Sequence, residues 1–160
     1  MEKLKPTVID VAKVMPMHCG PSYDSRMILD HVVTGRDGVI QVNHGTVMPG
    51  YALDGATHEE DEIYYILSGH GKLRLDDEII DCYGGQIIFI PAGVFHALDN
   101  RGSEEPLTIL TMWKDYRFND AYETRMKLWG KSFRTIDEVD ECDCQDAEEK
   151  KKTENGDIKL

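Results

Sequence analysis

No stretch of this chain approaches the roughly 18 to 20 consecutive apolar residues of a membrane span. Its opening, MEKLKPTVID, lacks the apolar core of a secretory leader. The expectation is a soluble cytoplasmic protein with no membrane partner. Cysteine is scarce and unpatterned: Cys19, Cys82, Cys142 and Cys144 form neither a regular framework nor paired CxxC modules, so reduced thiols are expected rather than disulfides. Cys142 and Cys144, in ECDCQ, are two ligands one residue apart, which does not complete a tetrahedral metal site. Basic residues number 18 against 30 acidic ones and form no stripe, which argues against nucleic acid or an anionic surface as partner. Nor is there a phosphate loop, since GHGKLR reads as a turn between strands rather than the opening of a helix.

What is present is organised along the chain. A length of 160 residues suits one domain with extensions. Half of the formal charge of -12 sits in residues 137–160, where ten acidic and four basic side chains give -6. That segment is nearly free of aromatic residues and reads as a disordered tail. Residues 1–26, with Pro6, Pro16 and Pro21, read as an extended arm. Residues 27–115 are a succession of short strand-forming runs, among them MILDHVVT, GVIQVNHGTV, YALDGATH, EIYYILSG and QIIFI, punctuated by Gly, Asp and Asn. This spacing predicts an antiparallel sandwich or barrel. Helical periodicity appears only in residues 116–136. There NDAYETRMKLWG offers Asn119 as N-cap, Gly130 as C-cap, and a stripe of Ala121, Tyr122, Arg125, Met126 and Trp129 expected to pack on the outside of the barrel.

Chemistry concentrates in two segments. If residues 56–66 are extended, Ala56, His58, Glu62, Tyr64 and Ile66 share one face, while Ile63, Tyr65 and Leu67 share the other. His58 and Glu62 then point the same way, whereas Glu59, Glu60 and Asp61 read as a solvated edge turn. In GQIIFIPAGVFHALDN, a buried strand is stopped by Pro91 and turned through Ala92 and Gly93, which sets His96 just past a tight corner. Of the remaining histidines, His44 on the preceding strand could reach inward as a further ligand, but it has the parity of Ile40 and Val42, which favours a buried, hydrogen-bonded structural histidine; His18, His31 and His70 have no supporting pattern. Gln41, Asn43, Gln86 and Trp113 are weaker pocket candidates, assigned by strand parity.

These two segments resemble the two motifs of the cupin superfamily. Gly50, Ala56, His58, Glu62 and Gly69 fall on the first motif, and Gly85, Pro91, Gly93, His96 and Asn100 on the second without a gap. The resemblance covers residues 27–115. It implies an all-β fold, a double-stranded β-helix or jelly-roll barrel, here with an N-terminal arm and a short C-terminal helix. It further implies that His58, Glu62 and His96 bind one divalent transition metal ion, Fe, Mn, Ni, Co or Zn, and that the protein forms a homodimer. The first motif's first histidine is absent, since Ala56 stands there. Two imidazoles and a carboxylate form a set that suits Fe(II) and that the other ions also accept. Tyr64, inward and two residues past Glu62, is the candidate catalytic acid or base; the plain alternative is a core tyrosine with a hydrogen-bonded hydroxyl. Three functions fit. The preferred one is a metal-dependent enzyme acting on a small oxygenated substrate such as a sugar, keto acid or enol, by isomerase, epimerase, cyclase or lyase chemistry. The others are an Fe(II) dioxygenase and a non-catalytic small-molecule-binding or sensor barrel.

Overall fold

Alternation is the origin of the architecture. In Gln41–Val47 every second residue is buried, namely Gln41, Asn43, Gly45 and Val47, while Val42, His44 and Thr46 are only partly covered. A pleated strand with one face on the core has this pattern. The computed structural model describes residues 6–36, 38–114 and 120–138, and no helix in them is long and apolar enough to cross a membrane. Among the described residues there are nine strands: β1 (Met17–Cys19), β2 (Tyr23–Leu29), β3 (Gln41–Val47), β4 (Glu62–Ser68), β5 (His70–Leu75), β6 (Glu78–Tyr83), β7 (Ile87–Ile90), β8 (His96–Asp99) and β9 (Leu107–Trp113). All pairings are antiparallel. One sheet runs in the order β1-β2-β3-β9-β4-β7 and the other β6-β5-β8. The isolated bridges Ala52↔Asp99 and Ala56↔His96 lay the connection between β3 and β4 against β8. The expected all-β jelly roll is thus what the chain forms.

The inward face of the larger sheet is graded. Register places Glu62, Trp113 and Gln41 in one row across β4, β9 and β3, and Tyr64, Thr111 and Asn43 in the next. Further along come Ile66 and Ile109, then Leu107 and Val47, which join Leu73, Cys82, Ile90 and Leu98 in the core. The barrel therefore has a polar end and a close-packed apolar end. The outward faces of β4 and β7 carry Tyr65, Leu67, Ile87 and Phe89, all exposed.

Three sequence expectations change. MILDHVVT is not one strand: β2 ends at Leu29, and α1 (His31–Thr34) is a single helical turn. Its β-branched residues are overridden by its ends, since the Asp30 carboxylate accepts from the Val33 N–H at 2.7 Å and Gly35 closes the turn at φ 65°. YALDGATH is likewise no continuous strand and pairs only through the two bridges. The helix α2 (Asp120–Trp129) does end at Gly130, whose N–H donates to the Met126 carbonyl at 2.9 Å with φ 69°. Yet Arg125 does not lie along the outside of the barrel. It is buried and donates to the Ser25 hydroxyl at 2.6 Å, on the concave side of the sheet. The expected N-cap Asn119, the side chains of Ala121 and Tyr122, and residues 139–160 with Cys142 and Cys144 lie outside the described residues.

Asn100 shows what one motif residue does for the fold. Fully buried, it donates through Nδ2 to the carbonyls of Val47 at 3.1 Å and Glu105 at 2.8 Å. An isosteric carboxylate cannot donate, so Asn100→Asp is expected to leave both carbonyls without this partner and to cost about 2–4 kcal/mol of stability. Urea denaturation of the variant beside the parent checks this; an unchanged midpoint would count against that role.

Candidate metal centre

Three side chains meet at the polar end of the barrel. Glu62 opens β4, His96 opens β8, and His58 lies in the connection before β4. His58 and Glu62 do converge, but not through a continuous strand, because the chain bends at Glu59 and Glu60 and β4 begins only at Glu62. The aim of His58 is set by contacts. Its carbonyl accepts from the Gly93 N–H at 2.7 Å, and its ring Nδ1 meets the Glu60 carbonyl at 2.8 Å. Next to it the Asp61 carboxylate accepts from the Ala92 N–H at 2.9 Å. The tight Pro91-Ala92-Gly93 corner therefore clasps the loop that carries His58. Asp61, expected to be merely solvated, is part of the clasp.

The donor geometry is specific. Nε2 of His58 lies 3.1 Å from one oxygen of Glu62, and Nε2 of His96 lies 3.2 Å from the same oxygen. The ligand atoms of all three residues lie within 4.8 Å of one another, and their side chains are nearly buried. On the far side of each ring, Nδ1 faces a backbone carbonyl: Glu60 for His58 and Val94, at 3.0 Å, for His96. A carbonyl only accepts, so each Nδ1 must carry the hydrogen. Neutral rings then turn two Nε2 lone pairs toward a carboxylate oxygen, and three acceptors crowd one small volume. Only positive charge relieves that arrangement, supplied by protons on the rings or by a cation. Neighbouring ligands of one ion with bonds of about 2.0–2.2 Å stand about 3 Å apart, so the donor set fits a divalent transition metal.

Electrostatics agree in direction. Burial alone would lower the His96 imidazole, but its hydrogen bonds to Glu62 and to the Val94 carbonyl, with the Glu62 charge, lift it above the ordinary histidine value. Tyr64 lies beside the group, its ring 5.8 Å from that of His96 and edge-on to it. Burial first, then the Glu62 charge and Tyr23, push its phenol well above 10, so it holds its proton at neutral pH.

The other candidates sort cleanly. Ala56 is bonded directly across from His96, the two exchanging N–H···O bonds of 3.0 Å in both directions, so their side chains leave the same side of the pair. His44 shares a face with Val42 and Thr46, opposite to Asn43, and does not stand in for the missing histidine; burial lowers its pKa, with Arg26 adding to the effect. Gln41 and Asn43 are buried on the inward face, and Trp113 pairs with Glu62. Gln86 instead closes the turn before β7, its side-chain oxygen accepting from the Tyr83 N–H at 2.9 Å. Sequence reading missed Tyr23, Ser25 and Arg125, which lay in segments read as an arm and as an outer helix. Tyr23 and Ser25 stand two apart in YDSRM, an alternation that continues to buried Met27 and was there to be read.

A family model for the cupin domain matches residues 32–113. A 53-residue segment is 42% identical to an uncharacterized protein of Methanocaldococcus jannaschii, covering 33% of this chain and 42% of that one. The aligned segments span about half or less of the length of the curated relatives, 50% and 42%. Among solved structures, a predicted oxalate decarboxylase of Thermotoga maritima aligns with TM-score 0.60 at 19% identity, over 67% of this chain and 97% of that one. The polyketide cyclase RemF from Streptomyces resistomycificus aligns with TM-score 0.61 at 22% identity, over 69% and 80% of the two chains. At these identities the structural likeness speaks for the fold alone.

The raised His96 value has a signed consequence. Without metal, the stabilisation that His96 gains by protonation is complete below pH 6.5 and is lost as pH rises through its folded value. A bound cation reverses this, because the imidazoles must shed their protons to ligate. Thermal midpoints of chelator-treated protein are expected to fall as pH rises above 6.5, while the increment from added Zn(II) grows over the same range. An increment that is flat with pH would argue that no histidine ligates.

Proposed function

The chain belongs to the cupin family, and on that premise we propose that it is a metal-dependent enzyme for a small oxygenated substrate: a sugar, keto acid or enol rearranged by isomerase, epimerase, cyclase or lyase chemistry. The observation that supports this is the convergence of two Nε2 atoms on one Glu62 oxygen with both Nδ1 hydrogens committed elsewhere. In this reading His58, Glu62 and His96 hold one divalent ion, and Ala56 leaves the fourth family position open to substrate. When bound, the ion supplies Lewis-acid polarisation of a carbonyl. The chain's own residues do the rest. Tyr64 keeps its proton and acts as general acid or hydrogen-bond donor beside His96. Gln41, in the row of Glu62, gives the polar wall that orients a hydroxylated substrate, and the apolar end beneath excludes water. The dioxygenase reading draws on the same donor set, two imidazoles and one carboxylate, and is selected by Fe(II)-dependent oxygen uptake with a substrate.

Elemental analysis tests the site directly. After reconstitution with Fe, Mn, Ni or Zn, the parent is expected to retain close to one ion per chain, and His58→Ala, Glu62→Ala and His96→Ala to lose most of it. Variants that hold as much metal as the parent would end the assignment. Ala56→His, aimed to the same side as His96, is expected to tighten binding about tenfold or more.

The exposed outward face of β4 and β7, with Ile87 and Phe89 opposite Tyr65 and Ile63, supports a homodimer. Sedimentation equilibrium is expected to give a dimer mass for the parent and a monomer mass for Phe89→Glu; a monomeric parent would exclude it.

A further inference from the structure

A chain of hydrogen bonds crosses the concave face of the sheet away from the metal centre. Arg125 of α2 donates to the Ser25 hydroxyl at 2.6 Å, Ser25 meets the side-chain oxygen of Asn43 at 2.7 Å, and the Asn43 amide nitrogen meets the Tyr23 hydroxyl at 3.0 Å. Its direction is forced from one end. A guanidinium has only donors, so Ser25 accepts from it and turns its own proton to Asn43. That fixes the amide with its oxygen toward Ser25 and its nitrogen toward Tyr23. Tyr23 is left as acceptor in this bond, with its proton directed onward to no acceptor among the described residues.

The position of that last hydroxyl is specific. It lies over Gly45, where any side chain would collide with it, so the sequence leaves room for the tyrosine at this point. Asn43, to which it is tied, is level in the sheet with Thr111 and Tyr64, and Tyr64 borders His96. Burial is the main cause that pushes the Tyr23 phenol up to about 12, with the Glu62 charge adding to the rise, so the proton stays available for donation. At the other end Arg125 is 1% exposed, with Nε and Nη1 making no hydrogen bond among the described residues. A buried cation that donates to Ser25, with the charge of Asp30 acting on it from nearby, polarises the chain beyond it toward donation.

We propose that Tyr23 is the donor by which the barrel recognises a carbonyl or carboxylate oxygen of its ligand, and that Arg125, Ser25 and Asn43 are positioning residues that turn its proton toward the interior. This rests on the reading of the barrel interior as a small-molecule site. It adds a recognition element outside both motifs and ties the helix α2 to substrate binding.

Pyruvate, which carries both kinds of oxygen, serves as the probe, titrated calorimetrically into Zn(II)-loaded and chelator-treated protein. Tyr23→Phe removes one donor and is expected to weaken binding about tenfold with zinc content unchanged. Asn43→Asp keeps the phenol but offers it a carboxylate to donate to, and is expected to weaken binding by a similar factor. In the Tyr23→Phe background it then has no further effect. If Asn43→Asp acted only by repelling the ligand, its effect would persist there. Ser25→Ala cuts the chain one link earlier and weakens binding in the same direction, a second check should Tyr23→Phe fail to fold. Absence of pyruvate binding by the parent, a Tyr23→Phe variant that binds as tightly, or an Asn43→Asp effect equal in both backgrounds overturns the proposal. A parent that retains no zinc sinks the metal reading instead, and the titration of the chelated protein still judges Tyr23.

Discussion

Two imidazole rings, each with its Nδ1 hydrogen committed to a backbone carbonyl, face one carboxylate oxygen inside the barrel. Three acceptors at that separation repel unless positive charge is placed among them, and burial strengthens the demand because water cannot screen it. The surrounding structure holds the arrangement in place. The corner at Pro91-Ala92-Gly93 grips the His58 loop through its N–H groups, and the bridge from Ala56 to His96 ties the loop before β4 to the second sheet.

The rest of the interior follows from where that charge sits. Polar side chains line the rows nearest Glu62, and the core beyond Ile66 and Ile109 is apolar. The Arg125 guanidinium enters from the other edge of the same sheet, so the concave face lies between an acidic metal-type site and a buried cation. A molecule with an electron-rich carbonyl or carboxylate oxygen suits the space between. Tyr64 and Tyr23, both held protonated by burial, supply donors within that space and no strong base.

Much of this was legible from spacing alone. Gly50, His58, Glu62, Gly69 and Gly85, Pro91, Gly93, His96, Asn100 mark turns and converging side chains whose separations a barrel of this kind dictates, and strand parity placed Tyr64 inward and favoured a structural role for His44. The extended reading of residues 56–66 brought His58 and Glu62 together, as the structure does, but for an incomplete reason. It treated as strand a loop whose geometry comes from the Gly93 and Ala92 N–H groups some thirty residues away. The turn at His31–Thr34 was missed because two valines outweighed the Asp30 and Gly35 caps in the pattern.

What the sequence determined by itself is what depends on local chemistry and fixed intervals: alternation for the strands, glycine and proline for the corners, and residue types able to bind a metal at the spacing that brings them together. What only the tertiary structure decided depends on which segments meet. The clasp of Gly93 on the His58 carbonyl, the bond from the Ala92 N–H to Asp61, and the reach of Arg125 to Ser25, 100 residues away in the chain, are all contacts across elements. No period in the sequence encodes them, because a hydrogen bond between distant segments is specified by the packing of the whole sheet.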